Sequence, residues 1–315
     1  MARARGANDR RDGSDYLHRA EDHPLRGIHA CPDTPVTNFD ETLERFRLAV
    51  AGPAEGVPTV RAALLVAQTE YPDLDVISYE RQIAALGERL EARIHPSADT
   101  RSQLAEAHAL LFAEYGFRGN EEEYSDPRNL YLNEVIDRRL GIPVSMAILY
   151  SAVLARAAIR ASVIGLPGHV VTRIDGSDGS ILTDPYRGGV ELTTEQCRKL
   201  VQDVYGRRTP FREHFLDAIT PRQVIQRLIH NLKAGYLQHG DEERAARMME
   251  LLLAMYPWDL DELRDRGMLR ERVGEYRPAL DDLELYVRYR GDARDIETVS
   301  EAVRSLRRHT GMPER

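Results

Sequence analysis

At 315 residues with 42% hydrophobic composition, the chain is long enough for two compact domains, each with a core of its own. Its 43 Lys and Arg against 51 Asp and Glu leave a formal charge of -8, and no basic block tracks a phosphate backbone, which argues against a nucleic-acid partner. Two cysteines, Cys31 and Cys197, are too few for a disulfide framework or a cysteine-rich zinc site, and no apolar run is long enough for a bilayer, so a cytoplasmic location off the membrane is expected.

Residues 1–36 are rich in Arg, Asp, Gly, Pro and His and carry no periodic apolar face. Such a segment cannot offset its ordering entropy by burial, and it is expected to be a disordered tail. From Asn38 the spacing of Phe39, Leu43, Phe46 and Val50 predicts a helix that stops at Ala51-Gly52-Pro53. Helical spacing recurs through Val60 to Ala67, Ile83 to Ile94 and Leu104 to Phe112, so the first third reads as a helical layer.

After Gly116, Gly119 and Asn120, a short helix is expected near Leu130 to Arg139, and a strongly apolar one from Pro143 to Ala158. Proline is at home in a first turn, where its missing N–H has no helical partner. The period then changes. Ala161 to Leu166, Val170 to Ile174 and Ile181 to Thr183 are β-branched runs, with a Gly-Ser-Asp-Gly turn before the third. They predict a small antiparallel sheet, closed by Asp184 to Gly189 as a loop, with Thr193 or Thr194 capping one more helix to about Tyr205. The fold class is therefore α/β in a helix-rich α+β form, with this part filling residues 37–215.

From Ile225 onward the chain reads as helix and repeats at a spacing of 34 residues. Lys233 falls on Gly267, Ala245 on Ala279, and Met249 on Leu283, while Pro257 and Gly291 end the paired units. Small residues where helices cross closely, at this period, form the pattern of tetratricopeptide repeats. Residues 221–310 are thus expected to form an all-α array, capped by a helix bearing Ile296, Val299, Val303 and Leu306, that leans on the part before it.

Chemistry concentrates in Leu166-Pro167-Gly168-His169-Val170-Val171 and Ile181-Leu182-Thr183-Asp184-Pro185-Tyr186. If these runs pair as a hairpin, His169 and Asp184 come within side-chain reach, two thirds of a nucleophilic triad. The plainer reading is a hydrogen-bonded turn histidine and an aspartate that anchors its loop. Tyr124, Asp126, Asn129 and Asn133 cluster just before the apolar helix and either line a ligand cleft with His169 or act as caps and braces. The ten histidines show no paired metal-ligand spacing, so neither a metal nor a cofactor is expected.

These residues, in this order, carry a resemblance. Gly141-Ile142-Pro143 opening a helix, Ala147 and Leu149 within it, the strand Ile159 to Gly165, then His169 and Asp184 resemble the papain-like core of transglutaminase-like proteins. More narrowly, Tyr115 to Asn120, Tyr124 to Asn129, Leu132 to Val135, Arg138 to Pro143 and Pro167-Gly168-His169 are similar to the bacterial SirB-type family. That resemblance implies a helical layer, a transglutaminase-like domain and TPR-type repeats, over about residues 57 to 290.

Active relatives of this core hold a cysteine thiolate at the N-terminus of the core helix, and matching Gly141, Ala147 and Leu149 puts Pro143 there. A shift of two residues brings Ser145 instead, with a far less acidic hydroxyl; its plain reading is a first-turn residue bonded to backbone. Cys197 follows the Asp, so its chain order is wrong. The expectation is a non-catalytic pseudoenzyme that binds a protein or peptide partner through the array. The alternative is a hydrolase or acyl transferase acting on amides or esters through Ser145, His169 and Asp184.

Overall fold

The computed structural model describes residues 38–176 and 179–313. The tail expected over residues 1–36, with Cys31, and positions 177–178 of the hairpin turn lie outside the described residues.

The helical layer comprises α1 (Asn38–Val50), α2 (Thr59–Gln68), α3 (Val76–Glu91) and α4 (Thr100–His108). Helix α1 buries Leu43, Phe46 and Val50, the stripe its spacing predicts. Helix α2 is buried from Ala62 to Gln68 on every side, which makes it the centre of the layer. Asp75 and Asp99 start α3 and α4, each carboxylate accepting a backbone N–H three residues on. The chain continues from α4 into a wider π-wound stretch, Ala109–Glu114, which helical spacing alone does not distinguish.

Two short strands, β1 (Arg118–Gly119) and β2 (Leu140–Gly141), pair in parallel on either side of α5 (Leu132–Arg138). Helix α6 (Pro143–Arg156) follows, with Pro143 in its first turn and Val144 to Tyr150 all buried. The four-stranded antiparallel sheet runs β3 (Ala161–Ile164), β4 (Val171–Gly176), β5 (Gly179–Asp184), β6 (Val190–Leu192) in that order. Residues Asp184 to Gly189, expected as a plain closing loop, instead turn the chain back into β6, where Asp184 pairs with Val190. Thr193 caps α7 (Thr194–Tyr205), exchanging side-chain bonds with Gln196 in a capping box.

The remaining helices are α8 (Pro221–Gln238), α9 (Glu242–Met255), α10 (Leu260–Arg272), α11 (Tyr276–Tyr289) and α12 (Ile296–Thr310). Helices α9 and α11 begin 34 residues apart and have equal length, as the repeat requires. Ala245 and Ala279 are fully buried, and a Cβ on Gly267 would lie 2.6 Å from the Leu283 side chain, so α10 and α11 cross with backbone almost on side chain.

The array has no separate core at its start. Val224, Ile225, Leu228, Ile229 and Leu232 of α8, with Ala245, Met248 and Leu251 of α9, share one apolar cluster with α1 to α6. A hydrogen bond between the Tyr131 and Tyr236 hydroxyls and a double Arg244 to Glu70 ion pair tie the same parts together. A second cluster holds Ala279, Leu280, Leu283, Tyr286, Val299, Val303 and Leu306. The change of element type near residues 215–221 is therefore no break in the core.

Candidate functional site

The site starts at a turn. Leu166 to His169 forms a type II turn, with Pro167 fixing the first central position and Gly168 at φ +74° filling the left-handed second one. The His169 N–H donates to the Leu166 carbonyl at 3.1 Å, and β4 begins two residues later. Pairing Thr172 with Thr183 across β4 and β5 places His169 diagonal to Asp184. Their side chains meet: His169 Nε2 lies 2.8 Å from Asp184 Oδ2.

Asp184 is fully buried, and its other oxygen accepts the Tyr186 N–H at 3.1 Å. A buried carboxylate so committed accepts the hydrogen bond of Nε2–H, which leaves Nδ1 as the ring atom open to another group. Arg187 Nε stands 3.7 Å from the same carboxylate and adds charge rather than a hydrogen bond. The histidine is 8% exposed at the wall of a cleft of about 520 Å³.

Helix α6 brings Pro143 and Val144 to that cleft. Ser145, one residue further, does not line it. Its hydroxyl is fully buried, donates to the Asn129 carbonyl at 2.5 Å and accepts the Ile142 N–H at 3.1 Å. A hydroxyl has one proton, and here it is spent on backbone. No hydrogen bond joins Ser145 to His169 among the described residues: the structure brings His169 and Asp184 together and leaves Ser145, the third member of the alternative grouping, on backbone.

Of the other expected cleft residues, only Tyr124 reaches the lining. Its ring sits edge-on to Tyr186, which in turn sits edge-on to His169. Asp126 instead caps the turn at Arg128 and pairs with Arg128 and Arg138. Burial alone would raise its carboxyl; the Arg128 hydrogen bonds and both guanidinium charges outweigh that and hold it below the usual range. Asn129 is buried and braces the loop through Asn120 and the Glu123 carbonyl. Asn133 is 4% exposed, outside the lining, and its Oδ1 has no partner among the described residues.

The sequence reading missed the opposite wall, which is helix α8. Gln223, Gln226, Arg227, His230 and Asn231 all line the cleft, with Tyr205 from the end of α7. Their spacing marks a single helical face, but they lie more than fifty residues beyond His169 in a segment read only as repeat. Cys197 is fully buried, and burial together with the Asp184 charge pushes its thiol up to about 11. It is not a nucleophile at neutral pH. No group of three or more His, Cys, Asp or Glu that could hold a metal occurs among the described residues.

Comparison with known proteins adds the family. Residues 77–230 match the transglutaminase-like superfamily, and residues 232–304 match the tetratricopeptide repeat. A UPF0162 protein of Xylella fastidiosa (strain Temecula1 / ATCC 700964) is 32% identical over 248 residues, covering 78% of this chain and 88% of its own. The chain belongs to the UPF0162 family. The UPF0162 protein YchA of Escherichia coli (strain K12) is similar at 28% over 224 residues, 69% of this chain and 80% of its own. Mouse F-box only protein 21 is 27% identical over 176 residues, half of this chain and 26% of that protein. The SirB-type resemblance is borne out, as are a transglutaminase-like domain and TPR repeats in one helix-rich UPF0162 chain. The transglutaminase-like match runs to His230 and so takes in both walls of the cleft up to that residue. Among the described residues no helix is long and apolar enough to cross a membrane.

Proposed function

We propose that this UPF0162 chain is a non-catalytic transglutaminase-like/TPR protein, a cytoplasmic interaction or regulatory module for a protein or peptide partner. The carrying observation is at the first turn of α6. Where the transglutaminase-like resemblance calls for a thiolate, Pro143 meets the cleft shared with His169, and proline has no group that could attack. The hydroxyl of Ser145, two residues on, is bound into backbone. The array supports the binding half of the reading, since stacked helix pairs present an extended surface for a partner segment.

One observation favours a hydrolase or acyl transferase: the His169–Asp184 pair is intact at 2.8 Å and reaches the cleft. A base without a nucleophile still orients a ligand, so the pair fits a binding site equally well. A photo-crosslinking residue at Tyr205, on the cleft rim and 49% exposed, tests the reading in the native cell. A discrete protein adduct is expected there and not from the same group at Leu48, which is 71% exposed on α1. Identical adduct patterns from the two positions would contradict it.

A further inference from the structure

The cleft between the Leu166–His169 turn and α8 is one-sided in charge. Its lining holds Arg227, two imidazoles, three side-chain amides and two tyrosines, with neither Asp nor Glu among them. Arg227 is partly buried, and its Nη2 donates to the Leu166 carbonyl at 2.7 Å. Among the described residues no carboxylate pairs with it. A guanidinium stays charged and has five N–H groups to satisfy, so a single backbone acceptor is a poor return for its desolvation. Elsewhere in the array the partly buried guanidiniums of Arg244, Arg264, Arg266 and Arg270 all face carboxylates. Arg227 departs from that pattern, as does Arg222, which donates to the Val50 and Gly52 carbonyls, but of the two only Arg227 lines the cleft.

The neighbours set the ligand's charge. Burial, with the nearby Lys233 charge, pushes the His230 imidazole down to about 4, so at neutral pH it supplies a hydrogen bond and no charge. His169 Nε2–H donates its hydrogen bond to Asp184. The cleft therefore offers one permanent positive charge, which balances a carboxylate and leaves a phosphate dianion in excess. Gln226 and Asn231 flank Arg227 on the same face of α8, and their amides form no hydrogen bond among the described residues. Each can donate and accept, as a peptide group does. Pro143, Val144, Pro167 and Val170 supply apolar wall.

We infer that the cleft is a receptor for the C-terminal end of a peptide, with the terminal carboxylate on Arg227 and the last peptide groups on the Gln226 and Asn231 amides. This rests on the interaction reading above and names the chemistry of the partner.

The test uses the full chain labelled with 15N, following the Arg227 Nε–H and the His169 ring as N-acetyl-Ala-Ala is added. A saturable shift is expected with a midpoint on the order of millimolar, as suits a minimal ligand. The C-terminal amide of the same dipeptide should bind about tenfold or more weakly, since the charged partner is gone. Arg227→Gln should lose about the same factor at unchanged melting temperature, and Arg227→Lys should recover part of it. The acid-against-amide comparison needs no variant, so it stands even if Arg227→Gln unfolds. Amide binding equal to acid, acetate binding equal to the dipeptide, tighter binding of inorganic phosphate, or no saturable shift would each overturn the assignment while leaving the interaction reading in place. Release of free alanine from the dipeptide by the parent chain would instead overturn the interaction reading.

Discussion

The Ser145 hydroxyl donates to the Asn129 carbonyl across 16 positions of chain, at 2.5 Å and out of contact with solvent. It also takes the Ile142 N–H, so one side chain closes the start of α6 and fastens the loop that carries Asp126 and Tyr124. Ser145→Ala removes both bonds and leaves a buried carbonyl and N–H without partners. It should lower stability by about 1 to 3 kcal/mol in a denaturant melt. Peptide binding at the cleft should stay within about twofold of the parent. A variant as stable as the parent would show that the bond carries no weight.

Pro143→Cys tests the reading of the helix start. With Cys31 replaced by Ser in every sample, a thiol at position 143 would sit in the first turn of α6, where the helix dipole favours thiolate. It should be alkylated by iodoacetamide in the folded protein while Cys197, buried and pushed up to about 11, is spared. Adding His169→Ala should slow the reaction. Equal labelling with and without the imidazole would place the two groups out of reach of each other.

His230 gives a pH dependence with a defined sign. Its folded value is depressed to about 4, against an unfolded value near ~6.5. Between those values the unfolded chain binds the extra proton, so stability rises with pH through the window and falls as the solution is acidified toward pH 4. The side chain is 39% exposed, which makes the effect modest. Melting temperatures from pH 7 to pH 4 should decline less steeply for His230→Asn than for the parent. Parallel curves would contradict the assignment.

Ala279→Phe and Ala245→Phe separate the two clusters. Both alanines are fully buried at helix crossings, and overpacking either should cost about 1 to 3 kcal/mol. At Ala279 the loss should appear as faster hydrogen exchange confined to α10, α11 and α12. At Ala245 the repeat alone suggests an equally local effect, but this residue belongs to the cluster shared with α1 to α6, so exchange should rise there too. Protection of α1 and α2 unchanged in Ala245→Phe would sink the shared-core description.

Local chemistry made much of this legible in sequence. Apolar spacing located α1, the 34-residue step located α9 and α11, and a Pro-Gly turn before alternating β-branched runs brought His169 beside Asp184. Three other features were hidden for physical reasons. Strand β6 is three residues long with Val190 half-exposed, too short to show a period. Asp126, Asn129 and Asn133 are polar near the cleft in sequence, yet side-chain direction turns Asp126 to a cap and Asn129 to a brace and leaves Asn133 buried outside the lining, which spacing does not report. The α8 wall joins His169 only through tertiary packing, so nothing in the local spacing singles out Arg227.

The central claim is that the cleft binds and does not turn over. Its most direct test is the release of ammonia from a glutaminyl peptide, and of alcohol from a matching ester, by the full chain beside His169→Ala and Ser145→Ala. The account expects parent and both variants to match buffer alone, with the parent still binding the peptide. Turnover by the parent that both substitutions abolish would contradict it, because members of one catalytic unit fail together.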